Sequence, residues 1–343
     1  MDFTFSEEQL ALRNSTRDFL TSKVTSERLR QQWECGDSAD KDLWIDMLDL
    51  GIISATIPES LGGSGLNYVD FIMLAEECGY VALSESVAYT ALVVVPLLLE
   101  LDSAISRELL SDIAKGRHRI VIACPLTGLL EDAASASLII KFDLNGNLLF
   151  LNSEKVKLSR VKSVDPGRRV FKLEKVSGEE LLADSSRSGS LKKLVVNAMS
   201  LANAAQALGI AQRMLDMTVR YTKDRHQFGN PIGSFQAIKH KLADVAIKLE
   251  FAKPPVYRAS HSLFCKHPKA DLHVSHAKIA GCEAANLSAK HAMQAHGAMG
   301  YTWEYDLHIF VKRALVLSGS GGDFGFHKAR ILDSLLSESS QLG

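Results

Sequence analysis

Two long helical patterns are joined by a short segment at residues 224–236, Asp-Arg-His-Gln-Phe-Gly-Asn-Pro-Ile-Gly-Ser-Phe-Gln. The segment contains two glycines and a proline, which interrupt helices and therefore predict a defined turn. Before it, apolar residues recur at helical spacing over residues 191–219. After it, helical spacing continues over residues 235–251, and Pro254 and Pro255 are expected to end or kink this second helix.

The same region predicts a helical bundle. A third long helix is expected at residues 271–296, so a four-helix bundle is the economical arrangement for residues 191–343. Gly233 or Ser234 can cap the helix that follows the turn. Small side chains crowd the first long helix and permit close contact with a neighbouring helix. They are Ala202, Ala204, Ala205, Ala207, Gly209 and Ala211.

The beginning of the chain is also helical in pattern, from Ser6 to about Ala114. Ser6 followed by two glutamates is typical of a helix N-cap with an acidic first turn. A second helix is predicted near residues 43–50, with Gly51 at its end. A glycine-rich loop follows at residues 58–65, and further helices are predicted at residues 68–79 and 84–101.

The pattern between Arg119 and Leu191 differs from both flanks. Short apolar runs at residues 121–124, 137–140 and 148–151 alternate with turn signals at 144–147, 165–167 and 188–190. An irregular linker is the alternative, but linkers rarely hold so many leucine and β-branched residues. The sequence therefore predicts an α+β, mainly α, fold with three domains. These are a helical domain at 1–117, a small β domain at 118–190 and a helical bundle at 191–343.

Charge and length exclude several classes of partner. The 343 residues include 39 Lys and Arg against 40 Asp and Glu, a formal net charge of −1. Nucleic-acid binders usually carry a basic excess, so neither nucleic acid nor an anionic membrane surface is expected as a partner. The longest apolar run, residues 91–99, is far short of the roughly 20 residues that a membrane helix needs.

Cysteine usage and the acidic N-terminus favour a reducing compartment. The polar opening Met1–Gln9 argues against a signal or transit peptide, so a cytoplasmic location is expected. His273 and His276 are three residues apart on a helix, but no cysteine or carboxylate pattern completes a zinc site, so packed or solvated histidines are expected and no metal is predicted. No C-x-x-C pair occurs among the five cysteines, Cys35, Cys78, Cys124, Cys265 and Cys282.

Two segments could bind a ligand. In the first, Arg225 offers a planar fork for a phosphate and Phe228 a face for a flat heterocycle. The alternative is that Arg225 complements its helix C-terminus while Phe228 packs in a core, and spacing alone favours this structural interpretation. In the second, residues 294–306 lead from a helix into a glycine-containing loop whose backbone N–H groups could meet an anion. The alternative there is a helix C-cap with aromatic packing.

Taken together, these segments resemble the acyl-CoA dehydrogenase family, flavoenzymes that oxidise the α–β bond of acyl-CoA thioesters. The matches span both helical blocks in the family's order, which makes them more specific than any one motif. They comprise the opening Phe3–Gln9, Gly51 with the loop 58–65, the acidic helix at 76–79, the stretches 207–212, 225–229 and 235–244, and the "Q-x-x-G-G-x-G-Y" motif at 294–301.

The resemblance implies both an architecture and a cofactor site. It implies a helical N-terminal domain, a central β domain and a C-terminal four-helix domain. In the family, the Arg and Phe of R-x-x-F and the Gln of Q-x-x-G-G commonly contact the FAD of a neighbouring subunit. Here these are Arg225, Phe228 and Gln294, with Gln236 and Gly297 as further candidates. The implied partners are an acyl-CoA substrate, a second subunit in a dimer or tetramer, and an electron-transfer flavoprotein as acceptor.

The departures from the family pattern concern the flavin loop and the catalytic base. Residues 124–132 keep little of the "T-E-P-x-x-G-S-D" segment, and Ala298 replaces the second glycine of Q-x-x-G-G. Desaturation needs a carboxylate to remove the α-proton. At the usual position, within residues 318–323, this chain has glycine, and the minority position within residues 197–201 holds no glutamate. Asp323 is a weak candidate, and the base is otherwise unknown.

The short chain and the stretches at residues 252–261 and 300–308 resemble one bacterial subgroup. It includes heteromeric α2β2 dehydrogenases of steroid side-chain breakdown, in which two different subunits build each flavin site and only one need supply the base. The leading expectation is therefore a subunit that lends FAD contacts to a partner. The alternatives are a homomeric enzyme with an unrecognised base, and a flavin-free binding or scaffold protein with the same fold.

Overall fold

A computed structural model describes residues 4–34, 36 and 39–339 of the chain. Phe3, in the opening motif, and Cys35 lie outside the described residues. A π-helical segment, Thr90–Val94, lies between the short helices at residues 87–89 and 95–101. The α-helices are α1 (Glu7–Lys23), α2 (Ser26–Glu34), α3 (Lys41–Asp49), α4 (Tyr68–Tyr80), α5 (Val87–Tyr89), α6 (Val95–Leu101), α7 (Ala104–Ala114), α8 (Ser188–Asp224), α9 (Gln236–Phe264), α10 (Ala270–His296), α11 (Leu307–Gly319) and α12 (Phe324–Ser339).

The strands form two sheets and a short hairpin. The strands are β1 (Ile120–Ile122), β2 (Leu130–Glu131), β3 (Leu138–Phe142), β4 (Leu148–Asn152), β5 (Val156–Val161), β6 (Val170–Val176), β7 (Glu180–Ala183), β8 (His226–Gln227) and β9 (Asn230–Pro231). The four-stranded sheet has the order β1-β3-β4-β7, with β1 and β3 parallel, and the three-stranded sheet has the order β2-β6-β5. The predicted class, mainly helical with a small β region and C-terminal helices, is confirmed.

The chain divides into two compact units. The first comprises residues 1–22, 72–82 and 203–343, and the second comprises residues 23–71 and 83–202. Helices α4 and α8 each contribute to both units. This division does not test the domain boundaries expected at residues 117 and 190, which stay a prediction.

The second unit has an apolar core between its strands and a buried ionic cluster beside it. Val121, Ile139, Leu151 and Phe171 pack together in the core. The ionic cluster consists of two carboxylates and two guanidinium groups, each at most 9% exposed. Equal numbers of opposite charges satisfy one another there, which is the condition for burying charge. Its members are Glu85, Arg119, Asp132 and Arg169.

In the first unit, α4 and α8 cross with their backbones in contact. A Cβ atom on Gly209 would lie 1.9 Å from the carbonyl oxygen of Glu76, and one on Gly79 would lie 2.1 Å from that of Gln206. No side chain fits between the two helices at this point. The close helix contact predicted from the small residues of the first long helix is confirmed.

Helix α1 begins as the sequence predicts, and ion pairs anchor it to α4. The Gln9 amide donates to Ser6 Oγ and the Ser6 amide donates to Gln9 Oε1, so Ser6 caps the helix reciprocally. Further along, Arg13 and Arg17 donate to the fully buried carboxylate of Glu77 on α4. These charge-assisted bonds hold α1 on the first unit.

One expectation about α9 is wrong. Pro254 and Pro255 are expected to end or kink this helix, and the expected end is contradicted, because both prolines lie inside the helix, which continues to Phe264. The residues after the prolines, Val256 and Ala259, are completely buried. Burial of this face outweighs the cost of prolines within a helix.

One helix in the described part of the chain is long and apolar enough to cross a membrane, Ser185–Asp224. Within the fold, 94% of its most apolar window is buried, which is typical of a core helix. The apolar run at residues 91–99 lies in a shorter apolar helix, Val87–Leu101.

Glu76 gives the first unit a pH-dependent stability. Burial raises the pKa of Glu76 to about 7, and its Oε1 has no hydrogen-bond partner among the described residues. The charged groups around it are Arg13, 3.8 Å from Oε2, Glu77 and Lys253, and the Tyr257 hydroxyl forms a hydrogen bond with its carboxyl group. Because the folded-state pKa lies above the unfolded one, stability is greatest below about pH 4.5 and is lost as the pH rises through 7, by about 3 kcal/mol.

We therefore expect Glu76→Gln to gain stability relative to the natural chain between pH 5 and pH 8, because glutamine cannot ionise. Urea unfolding of both proteins at the two pH values measures the difference. Glu283→Gln is the control, since Glu283 is 43% exposed in its pair with Lys248 and stays hydrated when charged. If the two variants show the same pH dependence, Glu76 is not the titrating group.

Candidate functional site

The turn between α8 and α9 is a strained two-residue hairpin. His226 and Gln227 pair with Pro231 and Asn230, and the two residues between them both have positive φ, 54° for Phe228 and 80° for Gly229. This pair of values is that of a type I′ turn, in which Asn-Gly is the preferred sequence. An aromatic residue in this conformation is strained, and strained backbone concentrates at functional sites.

The hairpin presents its aromatic ring and its cation to solvent. Phe228 is 92% exposed, and its ring lies near that of Phe235, with centroids 6.3 Å apart. The alternative in which Phe228 packs in a core is therefore wrong for this chain. The Arg225 amide donates to the Tyr221 carbonyl at 2.9 Å. Its exposed guanidinium has no partner within the described residues, including the last carbonyls of α8.

The start of α9 differs from the expectation. The N-cap is Phe235, with no side-chain cap bond, and the predicted capping by Gly233 or Ser234 is wrong. Residues Ile232–Ser234 form a 3-10 turn, and the Ser234 hydroxyl donates to the Pro231 carbonyl at 2.7 Å. That bond holds the hydroxyl within the turn, away from the first amides of α9. Gln236 is the first residue of the helix and is exposed.

The second candidate segment is the end of α10. Gln294 is exposed on the last turn, and Gly297 ends the helix with φ 58° and ψ −135°. A Cβ atom at Gly297 would meet no neighbour within 4 Å, so the backbone there is open to solvent. Gly297 therefore serves as the helix C-cap, as the structural alternative predicted. A role in binding stays a prediction.

Tyr221 brings the two candidate segments together. Its ring stacks on that of His296, with centroids 4.2 Å apart and planes 23° apart. Its carbonyl accepts the Arg225 amide, one turn further along α8. Arg225, Phe228, Gln236, Gln294 and Gly297 thus belong to adjoining turns at one end of α8, α9 and α10. Neither Tyr221 nor His296 stands out in the sequence as a functional residue, although each lies within four residues of a candidate.

Asp323 lies at the other end of the bundle. Its Oδ1 accepts the Phe326 amide at 2.8 Å, so it caps α12. Four residues later, His327 contacts Ser275 Oγ at 3.1 Å, near the start of α10. From Ser275 to His296 the helix rises by about 30 Å, at about 1.5 Å per residue. Within one chain, Asp323 and the exposed Arg225 cannot act on the same reacting atoms.

The segment at residues 124–132 is a tight turn followed by paired carboxylates. The Thr127 and Gly128 amides donate to the Cys124 carbonyl. Asp132 belongs to the buried ionic cluster, and Glu131 accepts from Arg168, which also contacts the Tyr89 hydroxyl at 3.0 Å. These two carboxylates are therefore held by arginines of the same unit.

Both ring nitrogens of His273 contact side chains of the protein. Its Nδ1 contacts Ser262 Oγ at 2.7 Å, and its other nitrogen contacts Arg258. Burial, together with the charge of Arg258, lowers the pKa of His273 to about 4. The described residues contain no group of three His, Cys, Asp or Glu that could hold a metal ion.

Comparison with known proteins decides the family. Residues 6–117 match the acyl-CoA dehydrogenase N-terminal domain, and residues 193–336 match the acyl-CoA dehydrogenase C-terminal domain. A protein named as the caffeyl-CoA reductase-Etf complex subunit CarC of Acetobacterium woodii is 30% identical, over 88% of this chain and 91% of its own. This chain belongs to the acyl-CoA dehydrogenase family. The resemblance stated from the sequence is confirmed, and flavin-dependent dehydrogenation is the function of the family.

Other relatives extend the same picture. Acyl-CoA dehydrogenase IpdE2 of Mycobacterium tuberculosis is 29% identical over 90% of this chain and 91% of its own. The fold is shared with the ChsE4-ChsE5 complex of Mycobacterium tuberculosis, with a TM-score of 0.85 and 21% identity over 98% of this chain and 99% of that one. The family comparison thus supports a flavoprotein.

The exposed groups suit a flavin nucleotide. A guanidinium can bind pyrophosphate oxygens in a bidentate manner, an aromatic face can cover a flat ring, and an amide can meet polar ring edges. Arg225, Phe228 and Gln294 offer these three chemistries, all exposed and without polar partners among the described residues. The donor set therefore fits the cofactor that the family implies.

Proposed function

We propose that this chain is a subunit of a flavin-dependent acyl-CoA dehydrogenase, and that it supplies Arg225, Phe228 and Gln294 to an FAD held mainly by a neighbouring chain. The observation that carries the proposal is Phe228, held 92% exposed at a positive φ. A residue that is both strained and unpacked does not stabilise its own chain, so a function outside the chain explains it best.

Each residue has a distinct part in this proposal. Arg225 binds the pyrophosphate, Phe228 covers a flat ring, and the Gln294 amide meets a polar edge. Gln236 stands beside the hairpin as a further contact, and the open backbone at Gly297 allows close approach. When bound, FAD supplies the hydride acceptor for oxidation of the α–β bond of an acyl-CoA thioester.

The base is proposed to come from the partner. Asp323 uses its carboxylate to cap α12, and residues 197–201 contain no carboxylate. Because the candidate flavin contacts and Asp323 occupy opposite ends of the bundle, a site completed by a second, related subunit accounts for both. The complex named for ChsE4-ChsE5 supports a heteromeric assembly.

The proposal extends to substrate, acceptor and compartment. Resemblance to the steroid side-chain subgroup supports a bulky acyl-CoA as substrate. The name of CarC, a subunit of a complex with Etf, supports an electron-transfer flavoprotein as the electron acceptor. The cysteines without C-x-x-C spacing support a cytoplasmic location.

Flavin content and turnover test the proposal. The chain is purified alone and after co-expression with related acyl-CoA dehydrogenase subunits from the same genome, and bound FAD and dye reduction by acyl-CoA are measured. We expect bound flavin and turnover only in the co-purified complex. Full turnover by the isolated chain would support a homomeric enzyme with its own base. A colourless complex would support a flavin-free scaffold, and either result refutes the proposal.

Substituting Phe228 with asparagine is expected to increase the stability of the chain and to weaken its binding of FAD. Asparagine suits the first central position of a type I′ turn, so Phe228→Asn relieves strain and stabilises the chain by about 1 kcal/mol. Loss of the ring contact weakens FAD binding about tenfold. Urea unfolding of the chain and FAD titration of the apo complex measure the two effects.

Phe264→Asn is the matched control, because Phe264 is 53% exposed at the far end of α9. It should leave FAD affinity unchanged. If Phe228→Asn stabilises the chain but FAD binds as before, the hairpin is strained for a reason other than the flavin.

A further inference from the structure

Two stacked aromatic side chains connect the two candidate flavin-binding segments, the hairpin after α8 and the end of α10. Tyr221 on α8 and His296 on α10 stack with their ring centroids 4.2 Å apart, and the Tyr221 hydroxyl lies 3.5 Å from the His296 carbonyl. Tyr305 closes a third side, with its ring 4.7 Å from that of His296 and 5.7 Å from that of Tyr221. All three rings lie within the first unit.

Each of the two stacked residues lies close in the chain to a candidate flavin-binding residue. The Tyr221 carbonyl accepts the Arg225 amide at 2.9 Å, so the position of Tyr221 fixes where the hairpin begins. His296 is the last residue of α10 and follows Gln294 by half a turn. The stack therefore determines how far Arg225 and Gln294 stand from each other.

The His296 ring is held in one orientation. Its Nδ1 lies 2.8 Å from the Ala292 carbonyl, which can only accept, so Nδ1 carries the proton. Nε2 is then an acceptor, and it is buried with no hydrogen-bond partner among the described residues. Burial lowers the pKa of His296, which keeps the ring neutral.

This arrangement is costly if it serves stability alone. A buried acceptor without a donor opposes folding, and a phenyl ring would keep the stack without that penalty. Histidine adds the Nδ1–H bond to the last turn of α10, which locks the ring relative to Gln294. Beyond packing, His296 therefore fixes the orientation of the last turn of α10.

We propose that Tyr221 and His296 are positioning residues that fix the spacing between Arg225 and Gln294 and thereby set the affinity for the flavin nucleotide. This rests on the proposed function. A ligand held by two separate segments binds more tightly when their spacing is fixed beforehand, because less conformational entropy is lost on binding. Neither residue touches the flavin in this proposal.

The test compares removal of the ring with its conservative replacement. Tyr221→Leu removes the stack, whereas Tyr221→Phe keeps it and loses only the long hydroxyl contact. FAD is titrated into the apo complex of each variant, and amide hydrogen exchange is followed at residues 226–229 and 297–301. We expect Tyr221→Leu to weaken FAD binding about tenfold and to speed exchange in both segments, and Tyr221→Phe to stay within about twofold of the natural protein.

Two further variants separate the explanations. Val274→Ala, completely buried near the start of α10, lowers stability without touching the stack and should leave FAD affinity unchanged. If Tyr221→Leu weakens binding no more than Val274→Ala does, the positioning role is refuted. Arg225→Gln tests the proposed function itself. If it leaves FAD affinity unchanged, the proposed function fails, whatever the Tyr221 variants do.

Discussion

Gly209→Ala is expected to destabilise the first unit by about 3 kcal/mol or more, the upper range for overpacking a tight contact. The added Cβ would lie 1.9 Å from the Glu76 carbonyl oxygen and 2.5 Å from the Tyr80 amide nitrogen, both backbone atoms of α4. Backbone atoms in a helix cannot turn aside as a flexible side chain can. The two helices must separate, and the buried side chains around the crossing then lose contact.

Gly189→Ala provides a control on the same helix with the opposite sign. A Cβ atom on Gly189 would meet nothing within 4 Å, and its φ is not positive. Alanine there restricts the unfolded chain without strain and should stabilise the protein by about 0.5 kcal/mol. Urea unfolding of the two variants and the natural protein gives both values.

The pair of substitutions isolates the helix crossing from helix propensity. Both replace glycine with alanine in α8, and helix propensity favours alanine at both positions, more in the interior at Gly209 than at Gly189 in the first turn. Equal stability of the two variants would mean that α4 and α8 are not in backbone contact. The same crossing predicts that Gly79→Ala, 2.1 Å from the Gln206 carbonyl, behaves as Gly209→Ala does.

The sequence allowed this crossing to be anticipated in part. The run of small residues around Gly209 predicted a close helix contact, because only small side chains permit one. It could not identify α4 as the partner, since pairing over more than a hundred residues is decided by tertiary packing. The capped start of α1 and the end of α3 shortly before Gly51 were predictable, because capping depends on neighbouring residues alone.

Residues of the candidate site were found, but their conformations were not. Glycine and proline predicted the turn at residues 224–236, yet no local signal required Phe228 to adopt a positive φ or to be exposed. Pro254 shows the opposite case. Proline is a strong local signal for the end of a helix, but here the helix continues because the residues after it are buried. The Tyr221–His296 stack joins distant segments, so spacing along the chain could not reveal it.

Asp132→Asn is expected to cost the second unit about 3–5 kcal/mol, the range for breaking a buried ion pair by removing one partner. Asp132 is 2% exposed and accepts from Arg169 Nε at 2.6 Å and from an Arg119 nitrogen at 2.7 Å. Its φ of 60° is tolerated by asparagine as readily as by aspartate, so the backbone is not strained by the change. The substitution therefore removes charge and little else.

The charge left behind is the source of the cost. Glu85 contacts both arginines, at 2.6 Å and 3.0 Å, but one carboxylate cannot neutralise two guanidinium groups. Arg169 is 1% exposed and cannot reach water without opening the cluster. A buried net charge of +1 then opposes folding, whereas the unfolded chain hydrates the same arginines freely.

Glu174→Gln is the matched control in the same unit. Glu174 pairs with Lys157 at 2.9 Å across β5 and β6, but its side chain is 41% exposed and that of Lys157 is 69% exposed. Solvent screens such a pair, so its loss should change the free energy of unfolding little. Urea unfolding should therefore show that Asp132→Asn lowers the free energy of unfolding by several kcal/mol more than Glu174→Gln does. Equal losses would show that water reaches Asp132 and that the four charges do not hold this unit together.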